Sequence, residues 1–253
     1  LFNRGNAPGM LKLALACEAS AKDVPQFHGM LAFAWEQCHF LPEAESSARQ
    51  ALSLTVKEPW AQHAMAHVML TQGRLHEGLH FMQEASAGWT GLNSFMVTHN
   101  WWHQAVFALE LDQHDEVLRL YDEQIWGVEK TYTQDQIGAV SLLARLELAG
   151  VDVGNRWEDL APYLRRRTQD QFLPFLDMQY LYGLARCGTP EADELLQNIE
   201  HYSAKIAASG DSWQAAWQRV CVPACRGLMA HAQGNFGRAV DQLGLALPRL
   251  TEI

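Results

Sequence analysis

Strand signals are almost absent from this chain. Alternating runs of β-branched and polar residues, the period of a half-buried strand, do not occur in its 253 residues. No apolar run reaches the ~18 residues that a membrane helix needs, and no basic-then-apolar leader opens the chain. No membrane partner is therefore expected. Charge is scarce: 19% of residues are charged, acids outnumber bases 29 to 19, and the net charge is −10. Phosphate binding needs a basic stripe, so no nucleic-acid partner is expected either. The nearest cationic run, Arg165-Arg166-Arg167, ends a predicted helix, where cations complement the helix dipole. There is no CxxC. The five cysteines, Cys17, Cys38, Cys187, Cys221 and Cys225, are odd in number and read as free thiols of a reducing, cytoplasmic compartment. Phosphate-binding loops and nucleophile–base motifs are also missing, and Ala64 follows His63 where the HExxH metalloprotease motif needs Glu.

What is present is helix-forming. Ala, Leu, Glu, Gln and Met dominate, and 48% of residues are hydrophobic. Asn6 to Gly9 reads as a loop and Met10 to Ala21 as a first helix. Helices are then predicted over 26–39, 43–54, 59–72, 75–86, 93–111 and 115–125, paired across short turns such as Gly73-Arg74. Further helices are expected over 136–150, 157–167, 172–186 and 190–207, with a polar linker at Ser209 to Ser212. Second helices carry small or apolar residues in step: Ala44, Gly78 and Val117 are 34 and then 39 residues apart, and Ala192 and Ala239 return the pattern. A period near 34 residues is the tetratricopeptide spacing. The expected fold is all-α, a right-handed superhelix of about six helical hairpins over 26–253, preceded by an N-terminal loop and helix over 1–25. The start at Leu1 without Met, and the stop within a predicted helix, predict a piece of a longer protein. Its cut ends would expose apolar faces through which two copies could pair.

Two histidine pairs stand out. His63 and His67 lie in AQHAMAHV, and His99 and His103 in THNWWH. Each is spaced i,i+4, which places both imidazoles on one helix face. The pairs fall in successive hairpins, so one repeat can lay its pair beside the next.

The stretches AQHAMAHV, GLHFMQ, THNWWHQAVFALE, LYDEQI, ELAGVDVGNRWEDLAP, FLDMQYLYGLAR and RVCVPACRGLMA resemble the tetratricopeptide repeat protein 38 family, over roughly His28 to Leu250. The resemblance implies the same α-solenoid fold and leaves the reaction undefined. In tetratricopeptide proteins the second, fifth, ninth and twelfth positions of a repeat face the concave groove. Counting in that register puts His63 and His67 at the fifth and ninth positions, and His99 and His103 at the second and sixth of the next repeat. Asp177 falls at a fifth position and Glu36 at a twelfth. The candidate ligand-binding set is therefore His63, His67, His99, His103, Trp102, Glu36 and Asp177.

Three readings of this set stay open. The four histidines can be ligands of a divalent transition metal, for which imidazole is suited. They can form a metal-free acid–base or small-molecule pocket walled by Trp60, Trp101 and Trp102. Or they can be structural, inside a groove that holds a peptide. The expected function is a binding or scaffold protein for a peptide, small ligand or metal. The alternative is a metal-dependent or acid–base enzyme acting in the same groove. Elsewhere, His28 is expected at the surface, His76 and His80 solvated, and Met65, Met69, Phe81 and Met82 in the core. Cys221 and Cys225 read as core thiols. Tyr180 is expected in the groove and Tyr182 in the core, and Asp122, Arg145 and Arg219 in buried ion-pair networks.

Overall fold

The computed structural model describes residues 1–2, 5–207 and 215–252, and no strand occurs among them. They form two compact units, Leu1–Lys130 and Thr131–Ile253. The first unit contains α1 (Ala7–Ala21), α2 (Pro25–Glu36), α3 (Leu41–Leu54), α4 (Pro59–Thr71), α5 (Leu75–Ser86), α6 (Ser94–Glu110) and α7 (His114–Leu120), which runs into a π-helical turn at Tyr121–Ile125. The second contains α8 (Thr133–Leu148), α9 (Arg156–Leu164) with a 3-10 turn at Arg165–Arg167, α10 (Pro174–Arg186) and α11 (Glu191–Ala207). A π-helical turn at Trp217–Cys221 then leads into α12 (Val222–Ala232), followed by α13 (Phe236–Ala246) and a 3-10 turn at Leu247–Glu252.

One turn recurs in all six hairpins, α2–α3 to α12–α13. Each first helix ends on a residue with positive φ: His39, Gly73, Asp112, Gly150, Gly188 and Gly234. The amide of the next residue reaches back to a carbonyl five positions earlier: Phe40 to Trp35, Arg74 to Met69, Gln113 to Ala108, Val151 to Leu146, Thr189 to Leu184 and Asn235 to Ala230. This left-handed cap satisfies orphan carbonyls and reverses the chain at one fixed place per repeat. Proline in the first turn of α2, α4, α10 and α12 helps set the opposite ends, and Pro42 starts α3 just after its turn. Side-chain caps from Glu58 to the Ala61 amide and from Asn93 to the Met96 amide start the two histidine-bearing helices.

The in-step residues of the second helices are the packing positions. Ala44, Val117, Ala192 and Ala239 are buried. Gly78 lies against Phe107 of α6 so closely that an added Cβ would sit 2.1 Å from a ring carbon. In the first unit Met65, Met69, Met82, Phe107, Leu120 and Tyr121 fill the core; in the second Leu142, Leu146, Leu184, Ile199 and Trp217 do so.

Several expectations are corrected. α1 begins at Ala7, because the Asn6 side chain caps it on the Gly9 amide, 2.9 Å away. His28 is buried, with Nε2 2.7 Å from the Lys22 carbonyl. Tyr180 is buried along with Tyr182, so it faces no groove. Asp122, Arg145 and Arg219 are exposed rather than in buried networks; Arg145 bonds Ser141 within its own helix, and Arg219 pairs with Glu252. The linker at Ser209 to Ser212 lies outside the described residues. His76 and His80 are exposed; Met65, Met69 and Met82 are buried, and Phe81 is half-buried.

Candidate metal centre

α4 and α6 are the first helices of consecutive hairpins and pack against each other. Their i,i+4 pairs therefore meet. His63 Nε2 lies 3.0 Å from His67 Nε2 and 3.0 Å from His99 Nε2, and His99 Nε2 lies 3.2 Å from His103 Nε2. One ligand atom from each of the four residues falls within 4.8 Å of all the others. His63 and His103 are 3% exposed; His67 and His99 are partly exposed.

Glu36, at the end of α2, extends the cluster. Its Oε1 lies 3.2 Å from His67 Nδ1. Burial raises the Glu36 carboxyl, but hydrogen bonds from His67 and Gln37 outweigh it and hold the group below its ordinary value. An ionised carboxylate only accepts, so Nδ1 is the donor, and the Nε2 lone pair of His67 points into the cluster. This carboxylate–imidazole relay is the arrangement that orients histidine ligands around metals.

Aromatic rings collar the imidazoles. The His99 ring lies nearly parallel to Phe95 (5.1 Å between centroids, 21°) and Trp102 (5.6 Å, 4°). Trp60 meets His63 edge-on at 5.6 Å, and Phe33 lies 5.5 Å from the same ring. Trp101, expected as a wall, instead packs edge-on against Trp89 at 4.8 Å. Phe33 and Phe95 escaped sequence reasoning: Phe33 is an ordinary apolar helix residue that nothing in its own repeat marks, while the i,i+4 spacing of Phe95 to His99 is a readable signal.

The protonation state follows from this burial. Desolvation, then the neighbouring His67 and His99, push His63 well below the ordinary imidazole value. Desolvation, with His67, brings His99 down to about 4. Both rings are neutral at pH 7, with lone pairs free to coordinate. Hydrogen bonding among the imidazoles is strained. An imidazole nitrogen carries either one proton or one in-plane lone pair. The chain His67–His63–His99–His103 can therefore hold at most two linear bonds at once, so one of its three contacts must share a proton with its neighbour. A single cation at the focus would engage all four lone pairs.

Asp177 belongs to the second unit and is fully buried. Burial lifts its carboxyl up to about 7, against a smaller pull from the Leu173 amide. In the unfolded chain it ionises near its ordinary 3.8. Between these values the unfolded state holds less proton than the folded one, so stability falls as pH rises through the window. Asp177→Asn is expected to leave stability at pH 3.5 nearly unchanged and to raise it at pH 8 by about 2–4 kcal/mol, from ~1.4 kcal/mol per pKa unit. Urea denaturation at the two pH values measures both. Cys221 and Cys225 are likewise buried, with their sulfurs 3.9 Å apart.

The fold and this cluster define an all-α protein of repeated helical hairpins with a convergent four-histidine site in its first unit. No family model matches the chain. Among solved structures it is similar to YrrB, described as a TPR protein with an unusual peptide-binding site. The identity is 13% and the TM-score 0.42, with 73% of this chain and 89% of that one covered.

Proposed function

We propose that this chain is a tetratricopeptide-type scaffold of the repeat protein 38 family whose first unit holds one divalent transition metal ion through Nε2 of His63, His67, His99 and His103. The observation that carries the reading is the convergence of four Nε2 atoms on two packed helices, with one ligand atom from each histidine within 4.8 Å of all the others. Glu36 supports it by fixing the tautomer of His67. Trp102 and Phe95 hold the His99 ring plane, so the ligand set is preorganised by packing. The ligands are all nitrogen, which suits zinc, iron, nickel or copper and disfavours calcium or magnesium.

The test is metal content and affinity of protein purified without chelator or polyhistidine tag. One ion per chain is expected. Glu36→Gln is expected to keep the fold, by circular dichroism, and to weaken metal binding about 10–100-fold, the usual effect of losing an outer carboxylate. A chain that takes up no transition metal when one is supplied in excess would overturn the reading.

A further inference from the structure

We infer that the four-imidazole centre keeps an open coordination position, on the side flanked by His67 and His99, and that this position takes a carboxylate carried on an apolar body. The inference rests on the metal reading above and adds what the metal would bind.

Three features of the cluster point to it. The first is angular. With metal–nitrogen bonds of ~2.1 Å, a tetrahedral set separates its nitrogens by about 3.4 Å. The three spacings seen, 3.0, 3.0 and 3.2 Å, are shorter. They correspond to angles of about 90–100° at a common ion, by the same bond length. Angles of about 90° between successive ligands belong to five- and six-coordinate ions rather than tetrahedral ones, so four nitrogens leave at least one further position open.

The second feature is exposure. His63 and His103 form the buried floor, while His67, with 26% of its side chain exposed, and His99 flank the solvent side. An exogenous group approaching the focus would pass between these two rings. The half-exposed Trp60, Phe95 and Trp102 stand beside that side, through ring contacts with His63 and His99. Their faces suit an apolar or aromatic body and offer little to a hydrated ion.

The third feature is charge. Four neutral imidazoles leave a divalent ion with its full charge. Glu36 supplies one negative charge through His67, and one positive charge remains in a partly desolvated site. A monoanionic oxygen ligand bound to the ion removes it, as buried charge requires.

The experiment uses the full chain loaded with Co(II), whose visible bands report coordination number, titrated with acetate and with phenylacetate. Weak bands of five- or six-coordinate type are expected. Both acids should shift them to saturation, and phenylacetate should bind at least several-fold tighter than acetate. Intense tetrahedral bands that neither acid moves would overturn the open position while leaving the metal site standing. A shift equal for both acids would overturn the apolar-body assignment. Absence of any cobalt band would sink the metal reading itself and this inference with it.

Discussion

A His63→Ala, His103→Ala variant is expected to lose stoichiometric metal uptake, with affinity reduced at least about 100-fold, the upper range for losing even an outer-shell partner. These two rings are the buried floor of the cluster, and each lies within 3.2 Å of another ligand nitrogen. Without them His67 and His99 remain, one on each helix, and two partly exposed imidazoles do not retain an ion against a chelator. The linked result concerns stability. A ligand present at about 1,000 times its Kd stabilises the folded state by roughly 4 kcal/mol. For a domain of this size that is a Tm shift on the order of 10 °C. Chelator should therefore lower the Tm of the wild-type chain by about that amount and leave the variant unmoved. A variant that binds metal as the wild type does would show that the imidazoles are packing groups. Equal thermal response to chelator in both proteins would say the same.

The histidine cluster was legible because its geometry is local twice over. The i,i+4 spacing fixes each pair on one face, and the repeat of helical hairpins places α4, the first helix of one, beside α6, the first helix of the next. Glu36 followed from the same register, since it lies only one repeat away and no insertion intervenes. Asp177 is counted within its own repeat, 15 residues before Ala192 as His63 is before Gly78, and it is fully buried. The hairpin turns were only partly readable. Gly73, Gly150, Gly188 and Gly234 announce a left-handed residue, but His39 and Asp112 adopt the same conformation without the glycine that normally marks it. His28 was misread because its partner is a backbone carbonyl of the preceding turn, at Lys22, and backbone acceptors leave no trace in side-chain spacing. Phe33 touches the cluster from α2, a contact set by hairpin stacking that residue type alone does not encode, whereas Phe95 meets His99 by the i,i+4 spacing of α6 itself.

A large loss of stability is expected from a single added methyl at Gly78. In an exposed helix, Gly→Ala is favourable by roughly 1 kcal/mol, because alanine has less backbone freedom to lose. Gly237 in α13, whose added Cβ would meet nothing within 4 Å, should show that gain. Gly78→Ala should do the opposite. Its Cβ would lie 2.1 and 2.2 Å from two ring carbons of Phe107, a side chain with no exposed surface. The ring cannot retreat into a filled core, so α5 and α6 must separate, at a cost of about 2–3 kcal/mol for overpacking. Phe107→Leu alone leaves a cavity and should also destabilise. The double variant Gly78→Ala, Phe107→Leu should be more stable than the sum of the singles by at least about 1 kcal/mol, since each change relieves the other. Additive losses in chemical denaturation would mean that the contact is not the cause. The same contact reaches the histidines. Phe107 stands one helical turn beyond His103 on α6, so a displaced Phe107 carries His103 with it. Gly78→Ala should therefore weaken metal binding as well as stability, although Gly78 itself lies on α5, outside the ligand helices. Gly237→Ala, in the second unit, should leave metal binding unchanged.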